Sequence, residues 1–582
     1  TELIITFSEA VEGADGKYIR VIDEGGAAAA QIEATSSQVR IVEQTVTITL
    51  DPVLKPLTGY HVLIDAGAFR TSEGKTHGGI MNPAAWNFMT APDPNAKWVP
   101  AGNEGFTAGE AELPALAAGA DGTLYAAFRD GANGNKATVM KLGVGEEEWS
   151  LVGSAGFSPG PIGAPSILVT EQALYAAFGA VDADGKAAVH VMKFELAGEG
   201  DWVSAGDAIA VGTTTPALLL SHDPSPFLLA YDGAVHVAFR DGTDDGPITV
   251  KKLSAEGTWE SVGNPRFSAG DTYDPALAVF EGMLYAGFTD YTSDAGFGAT
   301  VMRYDDDAGT WKLAGNRGFT GHAFYTSLVS DGNRLFMVYE DATVERKAHA
   351  MQYSFETDHW FAAGDAFSKG QSYGITAAMG NGGLYAAFRD EGHSDKIVVK
   401  KFSGNEWVAV GIEGFTPGEA YAPSLIIHDG IPYVVYQDEA AGGKLSAMKY
   451  GLFNLAPEAS GVGIEGTLQT GATVTGTYQY SDAENDAEAE SLYRWYTADN
   501  KQGRNRQAID GETGFQLTLT KDMAGKYLIF EVTPVAAQGT RQGKAAAGAP
   551  AGPIIPGPPN VSADDAENVI VGADATMEDS TD

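Results

Sequence analysis

Apolar residues fall in short runs along most of this chain. The runs are roughly four to seven residues long, rich in Val, Tyr, Phe and Ala, and bounded by Gly or Asp-Gly. Leu124-Tyr-Ala-Ala-Phe128 is typical: too short for a helix and without a 3.6-residue period. Aromatic and β-branched residues between turn-formers predict strands. An all-β protein follows.

Between Trp98 and Tyr450 the runs recur as one unit written seven times. Trp98, Trp149, Trp202, Trp259, Trp311, Trp360 and Trp407 stand 51, 53, 57, 52, 49 and 47 residues apart. Each opens a W-x-x-[VA]-G phrase. A G-F-[ST] phrase follows in most repeats, as at Gly156-Phe157-Ser158 and Gly414-Phe415-Thr416. Then come a short apolar run, an aromatic strand such as Leu384-Tyr-Ala-Ala-Phe388, and a run ending in a basic-aromatic pair, as in Lys401-Phe402. A period near 50 is that of propellers and arrays. Four strands make one blade, and a lone blade is exposed on both faces, so the repeats must stack in a ring. The expected fold is all-β: a seven-bladed β-propeller flanked by two β-sandwich domains. The phase of the repeat predicts that Trp98–Gly102 completes the blade of Pro423–Tyr450, removing an open edge. Between Ile209 and Pro226 one repeat carries an extra segment around Thr213–His222, read as a loop insertion.

The expected organisation is residues 1–95, a first sandwich; 96–453, the propeller; 454–553, a second sandwich; and 554–582, a Pro/Gly linker with the start of a further, truncated module. The first module opens Ile4-Ile-Thr-Phe-Ser-Glu and contains Tyr60-His-Val-Leu-Ile-Asp-Ala-Gly-Ala-Phe69 and Trp86-Asn-Phe-Met-Thr90. These phrases resemble the S-layer-type bacterial Ig-like domain. Such domains have a further strand before this opening, so an edge open to upstream sequence or a neighbouring chain is expected. The propeller phrase is similar to a repeat of many secreted bacterial proteins of undefined role. Ala472-Thr-Val-Thr-Gly-Thr-Tyr-Gln-Tyr480 and Tyr527-Leu-Ile-Phe-Glu-Val-Thr-Pro534 resemble Ig-like repeats in cell-surface proteins of Gram-positive spore-formers. The resemblances imply a secreted or cell-surface multimodular protein. They imply no ligand.

Charge narrows the partners. Lys and Arg total 37 against 77 Asp and Glu, a net charge of −40, with no basic stripe; nucleic acid is not an expected partner. There are no cysteines, so disulfides and thiol chemistry are excluded. No apolar run is long enough for a membrane helix, and membrane insertion is not expected. No signal peptide is visible, and a processed chain or a fragment is expected.

Candidate sites are few. Asp130, Asp241, Asp290, Asp341, Asp390 and Asp438 follow the aromatic strand in six repeats and are read as turn-capping residues first, ligands second. Arg129, Arg240 and Arg389 precede three of them and are expected to pair locally. Tyr273, Phe324, Tyr373 and Tyr421 stand at one repeat position, expected on loops ahead of the innermost strands. They form a candidate arc for stacking on sugar rings, with Asp274 and His322 as polar contacts; packing under the loop is the competing reading. Asp482, Glu484, Asp486 and Glu488 alternate in an acidic turn and are a candidate Ca2+ site, against a plain solvated turn. The sequence holds no H-E-x-x-H or sialidase-type S-x-D-x-G-x-x-W phrase, and its G-x-S-x-G match, Gly156-Phe157-Ser158-Pro159-Gly160, is a copy of the repeat's G-F-[ST]-x-G phrase and not a nucleophile elbow, so a catalytic role is not expected. The leading expectation is a non-catalytic surface protein whose propeller binds a glycan or cell-wall polymer. The alternatives are a structural subunit of an S-layer or filament, self-associating through Ig-like edges, and the accessory region of a polysaccharide-active enzyme.

Overall fold

The computed structural model describes all residues except 1, 52–53, 84, 182–186, 199, 212–225, 243–245, 293–294, 381, 404–405, 483–484, 538–541, 559–560, 565–568 and 573–582. The loop expected around Thr213–His222 lies outside the described residues. The chain forms two units, Thr1–Leu452 and Phe453–Asp582. Among the described residues there are strands and short 3₁₀ turns and no α-helix.

In the first unit, the described residues of 97–451 build seven antiparallel sheets of four strands, the second with a short fifth. Sheet one runs Ala111–Ala118, Leu124–Asp130, Lys136–Leu142, Ser150–Leu151. The others repeat this order, their innermost strands beginning at Ser166, Phe227, Thr272, Ala323, Ser372 and Ala420. Sheet seven takes its outer strand from the start of the repeat region: Lys97–Pro100 pairs antiparallel with Lys444–Gly451, Trp98 opposite Tyr450. Each innermost strand touches the next, and that of sheet seven touches that of sheet one, so the sheets form a closed cycle.

The tryptophans seal the seams of this cycle. Each indole N–H donates to the carbonyl three residues after the preceding tryptophan: Trp149 to Ala101, Trp202 to Val152, Trp259 to Ala205, Trp311 to Val262, Trp360 to Ala314, Trp407 to Ala363 and Trp98 to Val410, at 2.8–3.0 Å. Six of the rings also stack on the phenylalanine of the preceding F-[ST] pair; Trp360 and Phe319 lie 4.3 Å apart at 3°. An indole supplies a large apolar face and one donor, and both are used here. The glycine closing W-x-x-[VA]-G is required for two reasons: Gly153 has φ +66°, and a Cβ there would lie 2.9 Å from the Trp202 ring.

Residues 2–90 form two main sheets. Glu2–Thr6, Thr45–Thr49 and Val39–Val42 make one; Ala28–Glu33, Tyr18–Asp23, Gly59–Ile64 and Asn87–Met89 make the other. Ile19, Val21, Val46, Ile48, Val62 and Ile64, fully buried, fill one core between them. A buried ion pair ties this sandwich to the ring. Lys401, 1% exposed, donates to the Glu24 carboxylate and, at 2.7 Å, to the Leu57 carbonyl. Ser403 donates to the other Glu24 oxygen at 3.1 Å.

The second unit is built the same way. Glu458–Glu465, Thr473–Ser481 and Gln516–Thr518 form one sheet, and Gln507–Ala508, Leu492–Ala498, Tyr527–Thr533 and Ala546–Ala547 the other. Trp495, fully buried, centres their shared core and donates to the Gly514 carbonyl at 2.8 Å. Val561–Asp564 and Val569–Gly572 pair as a hairpin.

Candidate functional site at the mouth of the ring

Five innermost strands share one irregularity. Glu112, Tyr273, Phe324, Tyr373 and Tyr421 are each the second residue of the strand, and the register shifts immediately after them. The next residue is left-handed in every case: Leu113, Asp274, Tyr325, Gly374 and Ala422 have φ between 46° and 63°. A repeated bulge thus re-aims the chain at the same level around the ring. The four aromatics are therefore strand residues, not residues of loops ahead of the strands. The bulge explains the difference: the ladder begins earlier, breaks, and resumes.

The arc is an alternating stack. The Arg346 guanidinium lies 4.9 Å from the Phe324 ring and 5.3 Å from Tyr373. Arg389 lies 4.8 Å from Tyr373 and 4.5 Å from Tyr421, and Arg240 4.5 Å from Tyr273. Each cation is steered by an acid: Arg346 by Glu340, Arg240 by Asp271, Arg389 by Asp395 at 2.8 Å, and Arg129 by Glu112 at 3.4 Å. Cation–π contacts thus cover ring faces that flat stacking on a sugar requires. The rings are half-buried, and their edges and hydroxyls remain. The Tyr373 hydroxyl donates to Gln371 at 2.8 Å and that of Tyr421 to Glu419 at 3.1 Å. The bond to the Glu419 carboxylate, with partial desolvation, raises the Tyr421 pKa.

Within the arc a cavity of about 540 Å³ opens, bordered by Tyr373, Tyr421, Arg389, Gln437, Glu112 and Tyr325. Tyr373 and Tyr421 line this space. Tyr273, Asp274, His322 and Phe324 gather further round the ring. His322 lies 4.6 Å from Phe324 and its Nε2 is 3.2 Å from the Tyr291 hydroxyl; Tyr291 packs edge-on against Tyr273 and Phe297. Phe297 is 38% exposed. Asp274 accepts from the Thr326 amide at 3.3 Å and so links two sheets.

Glu340 stands out electrostatically. It is fully buried opposite Phe324, where sheets one and six carry Arg129 and Arg389. Burial pushes its carboxyl up to about 7, against the pull of Arg346. Comparing repeat columns in the sequence would have flagged it, as an acid in a column that otherwise holds Arg129, Arg240 and Arg389 beside Gly179, Thr289 and Gln437. Arg346 had no such signal, because it comes from a turn outside the repeat phase.

The repeated aspartates serve their own turns. Asp130 accepts from the Ala132 amide and the Thr138 hydroxyl, and Asp438 from the Ala440 amide and Ser446. Asp341 and Asp390 accept from the amides of Thr343 and Gly392, Asp290 from Thr292 and Arg317, and Asp241 from Thr249. In the second unit, Asp482 accepts from the Asp486 amide at 2.9 Å, Asp486 from Asn454 at 2.6 Å, and Glu488 from Ser491 at 2.6 Å. Glu484 lies outside the described residues. No group of three or more His, Cys, Asp or Glu suited to a metal occurs among the described residues.

No protein-family model matches the chain, and no curated protein matches it. Among solved structures it is similar to a thermostable family-43 glycoside hydrolase, 14% identical, covering 44% of this chain and 94% of that one at a TM-score of 0.30. It is similar also to a family PL25 ulvan lyase, 11% identical, covering 59% and 94% at 0.39. A third is a protein of unknown function from Dyadobacter fermentans, 14% identical, covering 62% and 99% at 0.36.

Proposed function

We propose that the seven sheets are a seven-bladed β-propeller, accompanied in the chain by Ig-like sandwiches, and that its mouth binds a glycan outside the cell without acting on it chemically. The observation that carries this reading is the pair Tyr373 and Tyr421 on the wall of the 540 Å³ cavity. Each offers an apolar ring edge and a hydroxyl, the combination that meets a sugar's C–H groups and hydroxyls. Arg389 and Gln437 add donors, and Glu112 on the same wall is held by Arg129. A space of this size with a few convergent polar groups suits a small ligand or one segment of a chain.

The test is retention on an array of neutral and acidic oligosaccharides. Tyr373→Ala, Tyr421→Ala and Gln437→Ala are expected to lose retention with an unchanged circular dichroism spectrum. Retention unaltered in all three rules the mouth out. Retention of no glycan by the parent chain removes the reading altogether.

A further inference from the structure

A second cavity, of about 530 Å³, lies where the first sandwich meets the ring. Asp23, Glu24 and Asp93 face it, opposed by Lys55, with Tyr450 and the apolar Ile431 on the ring side. Two features make it more than an imperfect fit. The Tyr450 side chain is only 6% exposed, and its hydroxyl has no hydrogen-bond partner. Burial, with Asp93 nearby, raises its pKa, so it stays a neutral hydroxyl facing a carboxylate. Moreover, Asp23 and Asp93 are held by one oxygen each. Asp23 Oδ1 accepts from the amides of Gly25 and Ala27 at 3.1 and 2.8 Å, and Asp93 Oδ1 accepts from the Asn95 amide at 2.9 Å. Among the described residues their Oδ2 atoms take no hydrogen bond.

We propose that this crevice is a second binding site, taking a small ligand that carries a protonated amine on an apolar or ring-shaped body. Carboxylates only accept hydrogen bonds, so the ligand must donate. With Glu24 already paired to Lys401, Asp23 and Asp93 against Lys55 leave the walls negative by one charge in a chain already at −40, which disfavours an anion and favours a cation. A primary ammonium has three donors, enough for the two oriented carboxylates and the Tyr450 oxygen, while Ile431 and the tyrosine ring take the body. The site is independent of the glycan reading at the mouth.

Three probes of one shape test it on the full chain by calorimetry: cyclohexylamine, cyclohexanol and cyclohexanecarboxylate. Cyclohexylamine is expected to bind one site, at least about tenfold more tightly than cyclohexanol, with no heat from the carboxylate. Asp93→Asn and Asp23→Asn each weaken the amine by about tenfold or more, and Tyr450→Phe by less. Ile431→Trp, which fills the space and leaves every charge in place, abolishes binding. Equal binding of the alcohol, binding unaffected by Ile431→Trp, or heat from none of the probes overturns the proposal. If a variant melts below the parent chain, the probe comparison on the parent chain decides.

Discussion

Trp98 donates its indole N–H to the carbonyl of Val410 at 2.8 Å, across 312 positions of sequence. Its ring lies 4.0 Å from Phe415 at an interplanar angle of 8°. The same bond joins every other pair of neighbouring sheets, so the strand that closes the cycle is held to sheet six as each other outer strand is held to the sheet before it. What differs is the loop closed by it. The other six bonds span 44 to 54 residues, and this one spans the ring. The ladder of Lys97–Pro100 on Lys444–Gly451 keeps the latter from being an open edge, and the Trp98 bond anchors that closing strand to sheet six.

Replacing Trp98 is therefore expected to open the ring at its closure. Trp98→Phe removes one hydrogen bond and leaves a buried carbonyl unmet, about 1–3 kcal/mol. Trp98→Ala removes the stacked ring as well, about 3–5 kcal/mol. Denaturant midpoints measure both, with Trp311→Phe as an internal-seam control. Proteolysis of Trp98→Ala is expected to cut first in the flanking stretch 91–97. A midpoint equal to that of the parent chain would show that the closure carries no stability.

Gly153→Ala separates steric conflict from backbone strain. Both Gly153 and Gly134 have left-handed φ, +66° and +69°. A Cβ at Gly153 meets Asp201 at 2.7 Å and the Trp202 ring at 2.9 Å, whereas one at Gly134 meets nothing within 4 Å. Gly134→Ala is expected to cost about 1 kcal/mol, the price of the left-handed region alone. Gly153→Ala is expected to cost about 2–4 kcal/mol, because the seam must open as well. Equal melting temperatures would remove the seam argument.

The residues that were legible in the sequence are those that make the same contact in every repeat. Each tryptophan has a glycine beside it and six of the seven stack on a phenylalanine, so W-x-x-[VA]-G and F-[ST] recur, the phenylalanine seven or eight residues after the tryptophan that opens its repeat. Where the contact changes, the phrase changes: the seam of Trp259 lacks a stacked phenylalanine, and Ile209, buried in the same cluster, stands in the corresponding stretch. The mouth was legible only in part. Tyr373 and Tyr421 share a repeat column, but the guanidinium over both comes from Arg389, one strand away, and Arg346 comes from a turn in no column. The crevice was not legible at all. Its walls come from Asp23 and from Tyr450, and no local pattern relates positions so far apart.

Lys401→Met is expected to loosen the first sandwich from the ring. The substitution leaves Glu24, 12% exposed, without its cation, and breaking a buried pair on one side costs about 3–5 kcal/mol. Glu24→Gln leaves Lys401 equally stranded; burial already lowers its pKa, with Glu24 opposing, so the lysine is then expected to lose its proton. The double variant Glu24→Leu/Lys401→Met is expected to recover most of the loss. Hydrogen exchange of Gly59–Ile64 reports the contact directly. A double variant no more stable than either single one would contradict the pair as the main tie.

Glu340 gives the ring a pH dependence of unusual sign. Its carboxyl sits at about 7 in the folded chain against an ordinary value of 4.5. Between those values the folded chain holds a proton that the unfolded chain has released. Stability from this group therefore falls as pH rises from 4.5 to 7; the penalty is absent below that window and complete above it, roughly 3 kcal/mol. Lowered carboxylates such as Asp65, held down by the Arg20 hydrogen bond, act in the opposite direction at acid pH, so the total curve hides the effect. The difference between the parent chain and Glu340→Gln isolates it, because the other groups cancel. Glutamine cannot ionise, so the variant gains on the parent by up to that amount between pH 4.5 and 7, whatever constant offset arises from losing the Arg346 pair. Urea midpoints at several values across the window measure the slope. Parallel curves would mean that Arg346 holds Glu340 ionised throughout, and the stack of Phe324, Arg346 and Tyr373 would then carry a permanent buried ion pair.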